Sequence, residues 1–250
     1  MKANFFWKGQ DFQFLNRLAI LSHIIVGHKV VIWISGPAPE NKYWVGNIPG
    51  IKFRDANDVV FIDSFFHSML ERYSVPKRLR IASDMWQFVF LYRRGGLYCD
   101  TDVIALKKFP NMEWIISRDS EDHEERFALG IIKAPPRHSV FKYCIENVRG
   151  KWGSNTRVFS EAIKKYGLGL THPKEVFHPF SCGIHSRYLK ETGRSVLLKE
   201  GEIPDAYSIH YFGNKTYKLG IDQNMVEQFP KSVLFKLSEW IFRSYPREND

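Results

Sequence analysis

Asp100 and Asp102 stand one residue apart at the end of the stretch Gly95-Gly96-Leu97-Tyr98-Cys99-Asp100-Thr101-Asp102. On an extended chain residues i and i+2 point to the same side, so both carboxylates can face one cation. Hard oxygen donors of this kind suit Mg²⁺ or Mn²⁺ bound alongside phosphate oxygens. A cation held there would neutralise a diphosphate leaving group as charge develops on it. Taken alone, an acid-x-acid pair is more often a solvated turn, and its surroundings have to decide. Upstream, Asp84 and Gln87 are one three-residue step apart and share a helix face. Asp84 is open to two readings, a ligand-binding carboxylate or an acid near a helix start favoured by the macrodipole.

The elements that position these residues follow from periodicity and punctuation. Residues 80–94 read as a helix capped by Ser83 and stopped by Gly95-Gly96 in left-handed or extended geometry, with a short strand over 97–99. Before them come a strand over 4–7, then Asp11 as the cap of a helix carrying Phe12, Leu15, Leu18, Leu21 and Ile25. A strand over 28–35 ends at Gly36-Pro37, and 61–73 reads as helical. Further strands are expected at 103–106, 114–116 and 127–132, with helices near 139–148 and 158–166. Strands alternating with helices give an α/β fold with a mainly parallel sheet covered on both faces, in which ligands sit at the carboxyl ends of the strands. Short linkers make 1–250 one domain, with a C-terminal helical segment at about 231–244.

Composition excludes several classes. Lys and Arg number 36 against 27 Asp and Glu, a net +9, with 44% hydrophobic residues. That much apolar surface collapses into a core, which excludes a disordered, collagen-like or mucin-like chain. No stretch approaches the ~20 apolar residues of a membrane span, and the N-terminus lacks an apolar signal core. The expected location is the cytoplasm, free or in peripheral contact with the inner face of a membrane. Cys99, Cys144 and Cys182 are odd in number and widely spaced, against a disulfide framework or a CxxC zinc site. The basic balance asks for an acidic partner, yet the cations are dispersed and no nucleic-acid motif appears, so nucleic acid is not expected.

The stretch from Ala82 to Asp102 resembles a known family, the DXD-containing sugar transferases. These include the yeast initiating α-1,6-mannosyltransferase, bacterial capsule and lipooligosaccharide enzymes and, more distantly, the glucosylating domain of large clostridial toxins. Ala82, Ser83, Asp84, Leu91, Gly95, Gly96, Tyr98, Asp100 and Asp102 match the family's spacing A-S-D-x-x-R-x-x-x-L-x-x-x-G-G-x-Y-x-D-x-D. Phe6-Trp7-Lys8-Gly9 is similar to its opening F-W-x-G, Arg54-Asp55-Ala56-Asn57 to its R-D-A-N, Phe177-His178-Pro179 to its F-Y-P, and Ile209-His210-Tyr211 to its closing I-H-x-W. The resemblance covers roughly 4–217 and implies a GT-A fold, a nucleotide-sugar donor (UDP-sugar first, GDP-sugar second), Mn²⁺ or Mg²⁺, and transfer with retention to a saccharide or lipid-linked acceptor. It further implies that Asp100, Asp102 and His210 hold the metal, that Asp84 and Gln87 meet the sugar and phosphates, that Trp7 stacks on the base, and that Phe6, Tyr98 and Gly96 complete the donor site. Three departures stand out: Gln87 where the family has Arg, Ser154-Asn155-Thr156 where it has T-G-P, and Tyr217 as the nearest substitute for its closing Trp.

Bland alternatives accompany these roles. Trp7 is also a natural core residue, and a lone His such as His210 is more often structural than a ligand. His138, His172, His178 and His185 show no ligand spacing and are assigned nothing. The acid-rich 117–126 reads as a solvated loop, and 231–244 as a helix that either packs on the core or lies on an anionic membrane. A toxin-like protein glycosyltransferase, a nucleotide-sugar hydrolase and a catalytically silent sugar binder are the competing functions.

Overall fold

The computed structural model describes residues 1–60, 75–118, 126–148, 154–168, 172–179, 202–211 and 222–245. The helix expected at 61–73, most of the acidic loop, Cys182, His185 and Tyr217 lie outside the described residues. In chain order the elements are β1 (Lys2–Lys8), α1 (Phe14–Ile25), β2 (Lys29–Ser35), β3 (Lys52–Asp55), α2 (Val75–Arg94), β4 (Gly96–Cys99), β5 (Val103–Ala105) and β6 (Ile131–Ala134). They continue with α3 (Ser139–Asn147), α4 (Ser154–Lys165), α5 (Lys174–Phe177), β7 (Ser208–His210), α6 (Gln223–Glu227) and α7 (Val233–Ser244).

The main sheet runs β3-β2-β1-β4-β6, parallel except for β6, and β5 pairs antiparallel with β7 in a separate ribbon. Strands buried on both faces must be apolar on both, and their alternation builds two cores. Ala3, Phe5, Val30, Ile32, Leu97 and Cys99 pack on one side with Leu15 and Leu18 of α1 and Leu234, Leu237 and Ile241 of α7. Phe6, Val31, Trp33 and Tyr98 pack on the other with Trp86 and Phe90 of α2, Phe141 of α3 and Phe159 of α4. The amphipathic segment at the C-terminus therefore turns its apolar face to the protein. Strand order reverses about β1, so the crevice beyond the carboxyl ends of β1 and β4 is the topological switch point where such sheets bind ligands.

Several boundaries differ from expectation. The first helix is capped by Gln13, not Asp11, because Phe12 is drawn into the core beside Trp7 and Trp44, and Asn16 Oδ1 accepts the Gln13 N–H at 3.0 Å. Ser83 is no cap: α2 begins at Val75, with Pro76 in the first turn where a missing N–H is harmless, and Ser83 sits in mid-helix. Residues 114–116 make only an isolated bridge, Ile115 to Lys133, and the last strand of the sheet is confined to Ile131–Ala134.

Candidate metal and donor site

Asp100 leaves the carboxyl end of β4, but the pair does not lie on an extended chain. The chain must pass from the main sheet into the β5–β7 ribbon, so Asp100-Thr101-Asp102 forms a turn closed by Val103 N–H to Asp100 O at 3.2 Å. Gly130 O fixes its start by accepting the Asp100 N–H at 2.8 Å. The Thr101 carbonyl accepts from Asn16 Nδ2 of α1 at 3.0 Å and from Tyr211 Oη at 3.1 Å. Tyr211 also donates its backbone N–H to Asp102 O at 3.0 Å. Neither Asn16 nor Tyr211 carries a motif signal as a site residue. Only the knot they tie around Thr101 shows their part.

The antiparallel register of β5 with β7 sets His210 opposite Val103 and so beside Asp102. His210 Nε2 lies 3.0 Å from Asp102 Oδ1, and one ligand atom each from Asp100, Asp102 and His210 fall within 4.8 Å of one another. Tyr98 Oη donates to Asp100 Oδ1 at 2.9 Å. Burial, with Asp102 and Asp84 nearby, pushes the Asp100 carboxyl above the ordinary carboxylate range, against the opposing pull of His210 and the Tyr98 hydroxyl. Two crowded carboxylates and an imidazole are a donor set that a hard divalent cation relieves, and these residues fit one.

Asp84 faces the same region from α2. Asn155 Nδ2 of α4 donates to its Oδ2 at 2.7 Å. Burial raises its carboxyl to about 6, while Asn155 and Arg80 pull the other way. Gln87 is fully buried; its Nε2 donates to Leu129 O at 2.7 Å, and its Oε1 has no hydrogen-bond partner among the described residues. The amide pins α2 to the segment before β6, within the core rather than at a solvent-open cleft. Trp7, half-buried at the carboxyl end of β1, donates its indole N–H to Gly9 O at 2.8 Å and sets its ring edgewise on Phe12. Phe6 points to the opposite face, buried and stacked on Trp86 at 5.1 Å between ring centres. Gly96 opens β4 at the end away from Asp100, with φ +91°. It serves the helix-to-strand reversal there, and the structure brings neither Phe6 nor Gly96 to the carboxylate cluster.

One residue given no role by the sequence lies beside the cluster. His178, at the end of α5, is 2% exposed, its ring centre 5.5 Å from that of His210. A Cβ on Gly130 would meet His210 Nδ1 at 3.0 Å and His178 Cε1 at 3.4 Å, so the bare glycine admits both rings. Burial, helped by His210, lowers the His178 imidazole to about 3 and keeps it neutral.

Comparison with known proteins bears on the fold and on the activity class. Residues 26–121 match the family model described as a glycosyltransferase sugar-binding region containing a DXD motif. The fold is similar to the PaToxG glycosyltransferase, with 12% identity, a TM-score of 0.51 and coverage of 94% of this chain and 84% of that one. It is also similar to the apo-form glycosyltransferase GlyE of Streptococcus pneumoniae TIGR4, at 10% identity and a TM-score of 0.52, covering 100% of this chain and 65% of that one. At such identities the structures speak for the fold, and the matched segment speaks for the activity class. The chain is a glycosyltransferase of GT-A fold, and its matched segment holds the acid-x-acid sequence Asp100-Thr101-Asp102.

Proposed function

We propose that the protein moves a hexosyl unit, with retention, from a nucleotide-diphosphate sugar to a saccharide or lipid-linked saccharide acceptor. The observation that carries this reading is the convergence of Asp100, Asp102 and His210 at the carboxyl ends of the strands. Asp100 and Asp102, with His210, hold Mn²⁺ or Mg²⁺. When bound, that cation supplies positive charge against the departing diphosphate. Asp84, oriented by Asn155, accepts hydrogen bonds from the donor sugar. Trp7 offers its ring to the nucleotide base, UDP-sugars being the first candidates and GDP-sugars the second. Tyr98 fixes the Asp100 carboxylate from below by its 2.9 Å hydrogen bond. No side chain is assigned as a nucleophile; retention by attack on the leaving-group face needs none. The reading places the protein in the cytoplasm, where its net +9 favours anionic donors, acceptors or membrane surfaces.

The test is nucleotide-sugar hydrolysis and transfer across a panel of UDP- and GDP-sugars, with Mn²⁺, with Mg²⁺ and with chelator. Asp102→Asn and Asp100→Asn are expected to lower turnover by at least about a hundredfold, the scale of losing one electrostatic stabiliser, with little change in thermal stability. Unchanged turnover in either variant sinks the metal assignment, and donor binding without any turnover in the parent would leave a sugar-binding protein.

A further inference from the structure

The imidazole of His178 is buried with neither ring nitrogen bonded to a partner among the described residues. A buried polar group left unbonded costs about 1–3 kcal/mol, so a native protein that keeps one commonly has a use for it. The neighbourhood indicates the use. The rings of His178 and His210 both abut the bare α-carbon of Gly130, whose carbonyl holds the start of the Asp100 turn. Their centres are 5.5 Å apart and their planes inclined by 56°. Two imidazoles sharing one ion, with metal–nitrogen distances near 2.1 Å, place their ring centres roughly 5 Å apart. A phenylalanine would fill this space without the two unbonded nitrogens.

We propose that His178 supplies a second imidazole to the divalent ion held by Asp100, Asp102 and His210, and that this biases the site toward Mn²⁺ over Mg²⁺. The inference rests on the reading of those three residues as metal ligands. As placed, the cluster within 4.8 Å comprises these three among the described residues, so coordination turns the His178 ring about its Cβ–Cγ bond. That turn breaks no hydrogen bond to a described residue. Imidazole nitrogen favours later transition ions, whereas Mg²⁺ prefers carboxylate and water oxygen; an Asp₂His₂ set discriminates more strongly than the Asp₂His set that Asp100, Asp102 and His210 make alone.

The experiment titrates the full chain with MnCl₂ and separately with MgCl₂ by calorimetry, and records nitrogen couplings to bound Mn²⁺ by pulsed electron paramagnetic resonance. Parent, His178→Phe, His178→Asn and Asp102→Asn are compared. The expected result is two imidazole couplings in the parent and one in both His178 variants. With it goes a rise of about tenfold in the Kd for Mn²⁺, on the scale of altering a metal's ligand environment, and a change under about twofold for Mg²⁺. Metal-free His178→Phe should melt no lower than the parent, which a merely structural imidazole would not allow. His178→Asn, smaller than histidine, stands in if the phenyl ring cannot be accommodated. A single coupling in the parent, or an unchanged Mn²⁺ Kd in both His178 variants while Asp102→Asn loses the metal, overturns the proposal. Retention of Mn²⁺ by Asp102→Asn overturns the underlying ligand assignment instead.

Discussion

In the role proposed for Asp84, one hydrogen bond sets the working range of the site. Its carboxyl is raised to about 6 by burial, and the Asn155 amide favours the ionised form. Removing that donor takes stabilisation from the charged state only, so the carboxyl must rise further. In Asn155→Ala the acidic limb of the kcat/KM profile is expected to move upward by about one pH unit, equivalent to ~1.4 kcal/mol. A limb that stays in place would show that ionised Asp84 is not required of the free enzyme. The fixed spacing of Asp84, Tyr98, Asp100 and Asp102 made this part of the site legible, because α2, one reversal and one strand separate them. Asn155 was not legible as a partner, since it bonds to Asp84 across 71 residues, and nothing local distinguishes an amide that does so from one facing water. Gln87 was read differently. The family resemblance implied a donor contact there, and what the sequence did not announce is its full burial, with the amide donating to the Leu129 carbonyl.

Among the elements, α1 carries a built-in acid sensitivity distinct from the candidate site. His23 of α1 and His28, just before β2, are buried edge to edge with Phe109, their ring centres 5.4 Å apart. Burial lowers His23 to about 3 and His28 to about 4. The unfolded chain takes up protons near pH 6.5 while the native state refuses them until far lower. Stability is therefore unaffected above about pH 6.5 and falls progressively as pH drops toward 4, by roughly 2 kcal/mol for each histidine at pH 5. In His23→Phe, the loss of unfolding free energy between pH 7 and pH 5 should shrink by about that amount in denaturant titrations. Equal losses in parent and variant would remove His23 as the cause. At this scale the sequence was most readable. Continuous apolar runs marked strands covered on both faces, and three- and four-residue spacing marked the helices. What it could not mark were ends decided by distant packing. Phe12 enters the core and shifts the cap to Gln13, while the passage into a second sheet bends the DXD segment into a turn.

For the molecule as a whole, the open matter is what the net +9 does. Among the described residues no helix is long and apolar enough to cross a membrane, and Val233, Leu234, Leu237 and Ile241 of α7 are buried within the protein. Any surface contact by α7 therefore depends on its outer cations. Lys236 bonds to Glu202 at 2.8 Å and Arg243 to Glu239 at 2.5 Å, which reduces the charge they present. Replacing Lys231, Lys236 and Arg243 by Gln should weaken sedimentation with anionic vesicles by less than the roughly 3 kcal/mol that three unopposed cations would supply. Donor hydrolysis should not change. Equal sedimentation of parent and variant at low salt would leave α7 a packing element alone. The overall fold was legible because the β-α alternation allows few topologies. The β5–β7 pairing was not, since it joins segments about a hundred residues apart by a register no local pattern announces.

The knot at Thr101 bears on the order in which the protein is made. Asn16 reaches Tyr211 across 195 positions and both bond to the Thr101 carbonyl, so neither end of the chain can complete that contact alone. A chain emerging from the ribosome has its DXD residues long before it has His210 or Tyr211. Contacts of such separation form late, after the cost of closing the intervening loop has been met. The cluster of Asp100, Asp102 and His210 is then among the last features to assemble, and the segment 26–121 contains neither Asn16 nor the strand that delivers the histidine. An incomplete chain holds the two acids without His210, so the three-residue cluster arrives together with completion of the fold.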